Sequence, residues 1–205
     1  MDVQKQIRLR ALSGELGHDM LEMVLRDDEE RAAAGGRLLA DGATFATAHK
    51  FLTSWADSYS RLPMLLHLRR YMSAPDWWRL LGVCWTTCDN IATHKERLRA
   101  YLLKANERNL RAMMRTHEAR AVSYLPPVIT VYRGCYAVNR SGLSWTLSRD
   151  VAAQFPSFMR YRRDGDAPLL LTGTVPRSRV VLKLDRKERE AVCAAVTVTR
   201  EEPIG

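Results

Sequence analysis

VYRGCYAVNRSGLSWTLSRD, residues 131–150, decides how the chain is read. Arg133 stands at the end of a short apolar run and is followed at once by Gly134. Further on, Leu143-Ser144-Trp145-Thr146-Leu147 alternates apolar and polar residues. Period two puts Ser144 and Thr146 on one face of a strand and the three apolar side chains on the other. Ser148 and Asp150 then read as the cap and first-turn acid of a helix whose inner face is Val151, Ala152 and Phe155. An arginine next to a glycine suits a phosphate, because the backbone can come close while the guanidinium forks onto the anion.

Outward from this stretch the pattern stays strand-like. "VITVY" precedes it, and "PLLLTGTV", "RVVLKL" and "AVCAAVTV" follow, with the Gly165-containing "RYRRDGDAP" as a turn or loop between. Upstream, Pro126-Pro127 closes a helical regime, since neither residue continues a helix and each restricts its predecessor. Within that regime one helix starts at Asp19, shows Met20, Met23 and Val24 on one face and stops at Gly35. A second spaces Phe45, Ala48, Leu52 and Trp55 helically. Pro63 and Pro75 suit the first turns of two more, the latter after Ser73 as cap. A long helix is expected from about Asn90 to Arg120, burying Leu98, Leu102, Ala105, Ala112 and Met113. Its other face would line up Lys104, Arg108, Arg111 and Arg115, a stripe able to dock phosphates or carboxylates. The expected class is α+β. A helical region covers residues 1–120, with 1–60 a leader and 75–120 packing on the core. A compact β-rich core with one embedded helix covers 121–205.

Charge and composition narrow the function classes. Among 205 residues, 46% are hydrophobic, which is enough for a buried core. The net charge of +9 is uneven: residues 1–60 hold seven Lys and Arg against ten Asp and Glu, and residues 61–205 hold 25 against 13. A basic body behind an acidic leader favours an anionic partner. No stretch is apolar enough to cross a membrane, MDVQKQIRLR lacks a signal-peptide core, and four cysteines make no disulfide scaffold. A reducing cytoplasm is the expected compartment. Cys84, Cys88 and His94 lack a fourth convergent ligand for a metal, so the cysteines read as small buried thiols. Trp77, Trp78 and Trp85 read as helix-packing residues.

The last motif is "LDRKEREAVCAAV", a charged loop that brings Glu188 and Glu190 to the mouth of an apolar strand. If that strand lies beside the first two, an arginine, a serine and a glutamate converge from three strands. The order Y-R-G, S-x-T, E-x-E resembles the Arg–Ser–Glu layout of the ADP-ribosyltransferase superfamily, in its cholera-toxin-like branch. The combination of YRG, GLSWT, A-x-x-F and R-x-E-x-E looks more closely like a group of phage and prophage proteins. These often carry a helical segment similar to "WWRLLGVCWTTCDNI". The resemblance spans about residues 75–200.

It implies a split β-sheet core and NAD as the substrate. Arg133 would hold the pyrophosphate and nicotinamide ribose, Gly134 would meet the carboxamide through its backbone, and Phe155 would cover the nicotinamide. Ser144 would orient the catalytic Glu190, with Thr146 bracing the strand. Glu188 would be the first acid of the E-x-E, a pattern that goes with arginine acceptors. Asp185, Arg186, Lys187 and Arg189 would face the acceptor. No metal is called for. The implied activity is mono-ADP-ribosylation of a host macromolecule, a protein arginine first, in the cytoplasm of a phage host. Two alternatives stand beside it. One is a transferase acting on nucleic acid through the basic face of Lys104, Arg108, Arg111 and Arg115. The other is a non-catalytic basic binding protein that keeps the fold.

Overall fold

Helix capping and proline placement set the first elements. The computed structural model describes residues 30, 33–38, 40, 42–158, 161–163, 165–184 and 189–204. Helical backbone runs through 33–38, so Gly35 lies inside a helical stretch instead of ending one, and Asp19, Met20, Met23 and Val24 lie outside the described residues. Helix α1 (Phe45–Trp55) starts at Thr44, whose hydroxyl accepts from the Thr47 amide in a capping box. Asp57 then folds the link to α2 (Arg61–Leu68), its Oδ1 accepting from the amides of Tyr59 and Ser60. Helix α3 (Ala74–Cys84) begins where the Ser73 hydroxyl accepts from the Asp76 amide.

The described chain forms two compact units. One comprises the described residues up to Leu80 with Thr87–Asp89; the other comprises Leu81–Thr86 and the described residues from Asn90 onward. The first unit buries Ala48, Leu52, Leu62, Leu65, Leu66 and Trp77. The Trp77 indole donates to the Leu65 carbonyl at 2.9 Å, so its one polar atom is satisfied inside the core.

In the second unit the expected long helix is three short ones, α4 (Lys95–Lys104), α5 (Glu107–Ala112) and α6 (Thr116–Ser123). Two interactions make the first break. The Asn106 side chain accepts from the Asn109 amide and starts α5, while Arg179, far along the chain, donates to the carbonyls of Leu102, Leu103 and Ala105. Carbonyls in the last turn of a helix lack the usual amide partners four residues on; the Ala105 amide reaches the Leu102 carbonyl, and the guanidinium serves all three. Leu98, Leu102, Ala105 and Met113 are buried as expected from the stripe, and Ala112 is half-buried. The basic positions do not form one helix face: Lys104 is in α4, Arg108 and Arg111 are in α5, and Arg115 is the N-cap of α6. All four are exposed, and Arg111 is paired with Glu107 at 3.1 Å.

Beyond Pro127 the chain becomes a six-stranded antiparallel sheet. Its strands are β1 (Val128–Cys135), β2 (Ser144–Thr146), β3 (Leu169–Pro176), β4 (Val180–Lys183), β5 (Glu190–Cys193) and β6 (Thr197–Pro203), in the spatial order β4-β5-β2-β1-β3-β6. Helix α7 (Arg149–Gln154) is capped by the Ser148 hydroxyl and buries Ala152. The protein is therefore α+β, with most helices preceding the strands. The apolar run "AVCAAVTV", expected as one strand, is divided between β5 and β6. The run is continuously apolar through residue 196, so no change of pattern marks residues 194–196, which carry the chain between distant places in the sheet.

Those short connections dictate the sheet's shape. β3 reaches β4 through Arg177–Arg179, and β5 reaches β6 through residues 194–196, yet each pair is four strand positions apart. Four spacings in a flat sheet are roughly 19 Å, and four extended Cα steps span at most roughly 14 Å. The sheet must therefore curl sharply. Its concave interior holds the core: Ile129, Val131, Cys135, Trp145, Leu171, Val175, Val180, Leu182, Ala191 and Cys193, with Val122 of α6.

A buried ion pair ties α6 to β4. Glu118 and Lys183 are 0% and 2% exposed, with Nζ to Oε2 at 3.0 Å. The carboxylate also accepts from the Arg115 and Leu184 amides, and the ammonium also donates to the Met113 carbonyl. Charge buried this deeply is tolerated because every strong partner is present. Among the described residues no helix is long and apolar enough to cross a membrane.

Candidate active site

The sheet order places the three strands of interest side by side, β5-β2-β1. Thr146 is the register partner of Tyr132 on one side and of Glu190 on the other. Directly paired residues share a face, so Tyr132, Thr146 and Glu190 form one row across the sheet. Ser144 is two residues along on the same face, paired with Val192, and is therefore a diagonal neighbour of Glu190. Thr146 is buried and its hydroxyl accepts from the Ser148 amide at 3.1 Å, which links this row to the cap of α7.

Arg133 reaches the site by another route. Alternation on β1 sets it on the face of Ile129, Val131 and Cys135, the core face. Strands β1 and β2 pair only at Tyr132 and Thr146, and past that point the guanidinium takes up the gap between them. Nη1 donates to the Ser144 carbonyl and Nη2 to the Asn139 carbonyl at 3.0 Å. A Cβ at position 142 would lie 2.1 Å from Nη2, so a larger residue there would make the guanidinium shift away from the loop. Nε is buried and has no hydrogen-bond partner among the described residues. Burial pulls the Arg133 pKa below its ordinary value, and the nearby Cys135 side chain and Glu190 carboxylate oppose that shift. The guanidinium stays charged, and the Glu190 carboxylate lies within its electrostatic reach.

Glu190 is held from a direction the sequence did not advertise. Trp85, buried in the short turn Trp85–Thr87 after α3, donates its indole N–H to Glu190 Oε1 at 2.9 Å. A buried indole N–H needs an acceptor, but Trp77 and Trp78 are buried as well, so nothing in the sequence set Trp85 apart from them. Directly before Glu190, Arg189 has φ 45°, in the left-handed region that favours glycine. Arg99 is a further residue outside the expected set: its guanidinium donates to the carbonyls of Ser141 and Ala194. It thereby joins the β1–β2 loop to the segment leaving β5.

Gly134 meets a neighbour of its own. A Cβ there would lie 1.9 Å from the Ala152 carbonyl oxygen, so the absence of a side chain lets α7 settle onto β1. Phe155, just after α7, packs against Phe158 at 5.6 Å and Tyr161 at 5.4 Å between ring centroids. The last two rings are each roughly two-fifths exposed, at 42% and 43%. Asp185, Arg186, Lys187 and Glu188 lie outside the described residues.

Chemically, the site offers one carboxylate fixed by a neutral donor at the end of a strand, with a buried cation close by. Such a carboxylate stabilises positive charge developing beside it, because its orientation is set before reaction begins. Burial pushes the thiols of Cys135 and Cys193 above their ordinary pKa, so neither is a ready nucleophile at neutral pH. Comparison with known protein families, with curated proteins and with solved structures gives no match.

Proposed function

We propose that the chain is an NAD-dependent mono-ADP-ribosyltransferase, acting on a macromolecule of a bacterial cell that hosts its phage or prophage. The observation that carries the reading is the adjacency of β5, β2 and β1, with Glu190 and Thr146 in register and Ser144 on the same face. In this reaction the bond between nicotinamide and ribose breaks, nicotinamide leaves with the bonding electrons, and an acceptor nucleophile joins the ribose carbon and gives up its proton. The transition state resembles an oxocarbenium ion, so a preorganised carboxylate contributes most there. Glu190 supplies that carboxylate. Arg133 holds the Ser144 carbonyl and the loop at Asn139 in place, and its fixed charge suits an anionic pyrophosphate. The Phe155, Phe158 and Tyr161 cluster offers an exposed aromatic surface for a nicotinamide ring.

Arginine on a protein is the proposed acceptor, as the resemblance of the Glu188-x-Glu190 motif to the superfamily's E-x-E implies. The test is incubation with labelled NAD and bacterial lysate, using wild type beside Glu190→Gln and Arg133→Ala. Transfer of label to one band, lost in both variants, is the expected result. Absence of both label transfer and nicotinamide release from the wild type overturns the reading. One observation favours a non-catalytic role: both Arg133 amino groups are already engaged by main-chain carbonyls. Full biological effect from Glu190→Gln would establish that role instead.

A further inference from the structure

We infer that Trp85 is a positioning residue for the Glu190 carboxylate, a reading that rests on the transferase proposal above. A glutamate has three rotatable side-chain torsions, and β5 fixes only where its Cα sits. The 2.9 Å hydrogen bond from the Trp85 indole to Oε1 fixes the other end. Trp85 itself is 2% exposed and is therefore held by its surroundings. The donor is suited to this task because an indole N–H neither ionises nor accepts. It orients the carboxylate without neutralising it, as a lysine in the same place would.

The charged and titratable groups around Glu190 come from several elements. Arg133 of β1 senses its charge, and Cys193 of β5 does likewise. Lys183 of β4 is its register partner, but the ammonium is committed to Glu118 and the Met113 carbonyl. Arg189 precedes it and is exposed. Trp85 is thus a neutral donor among cations. A hydrogen bond to the ionised form favours ionisation, so removing it raises the carboxylate pKa.

The test replaces Trp85 by phenylalanine and, to preserve the bicyclic shape, by 3-benzothienylalanine, in which sulfur stands for the N–H. The pH profile of nicotinamide release is measured with each, alongside the indole ¹⁵N–¹H resonance of Trp85 in wild type and Glu190→Gln. The expected result is a fall in kcat of about tenfold to a hundredfold, the size of one hydrogen bond to a charged group, with KM for NAD unchanged. The acid limb should move up by about one pH unit. An active wild type whose isosteric variant keeps both kcat and acid limb overturns the role of Trp85 and leaves the transferase proposal standing. A wild type with no turnover, whose Trp85 resonance still shifts in Glu190→Gln, sinks the transferase proposal and with it any catalytic service by Trp85.

Discussion

Replacing Glu118 by glutamine removes one of two charges in a pair that is 0% and 2% exposed. The carboxylate accepts three donors: the Arg115 amide at 2.7 Å, the Leu184 amide at 2.9 Å and Lys183 Nζ at 3.0 Å. A glutamine amide has one oxygen, so its NH₂ must face one or two of those donors. The Lys183 ammonium would be left with the Met113 carbonyl as its remaining acceptor. Breaking a buried pair from one side costs about 3–5 kcal/mol, mostly because the other charge stays buried without its partner. For a chain of this size roughly 2–4 °C accompanies each kcal/mol, so a fall in Tm of about 6–20 °C is expected. The exposed pair Arg111–Glu107 is the control, and its loss should change stability by no more than about 0.5 kcal/mol. Urea unfolding followed by circular dichroism and tryptophan fluorescence measures both. The double variant Glu118→Gln with Lys183→Met removes the stranded ammonium and keeps a side-chain acceptor for the Arg115 and Leu184 amides, so it should recover part of the loss. A single-variant loss under about 1 kcal/mol, or a double variant no better than Glu118→Gln, would refute the reasoning.

Three further outcomes follow from other contacts. Gly134→Ala sets a methyl 1.9 Å from the Ala152 carbonyl oxygen, so α7 must move and stability should drop by about 1–3 kcal/mol in a thermal melt. Arg189→Gly relieves a φ of 45° and should stabilise the folded state by about 1 kcal/mol in urea, whereas Arg189→Val should destabilise it. Cys135 and Cys193 have their pKa raised by burial, so at pH 8 both remain protonated thiols. Iodoacetamide should label them at a rate that follows unfolding, and rapid labelling of the native protein would contradict their burial.

How much of this was legible in the sequence varies residue by residue. Period-two alternation marked Ser144 and Thr146 as sharing a face, and the Ser148 cap with its helix was written in local chemistry. Such features depend on neighbours a few residues away, and sequence order records those neighbours directly. The break at Ala105 was legible only in part, through the local Asn106 cap. Apolar spacing runs on through it, and the residue that closes α4 is Arg179, more than seventy positions downstream. The same applies to the Trp85–Glu190 contact across 105 positions and to the Glu118–Lys183 pair across 65.

Sequence alone thus determined the class of fold, the strand identities around Arg133 and which side chains each strand shows to one side. Only the tertiary structure decided that β5 lies against β2, that Arg133 turns into the gap between strands, and that Glu190 is met by an indole. The physical reason is reach. Hydrophobic period and capping act over a turn or two, while a curled sheet joined by three-residue crossings brings together groups whose affinity for one another leaves no trace in local order.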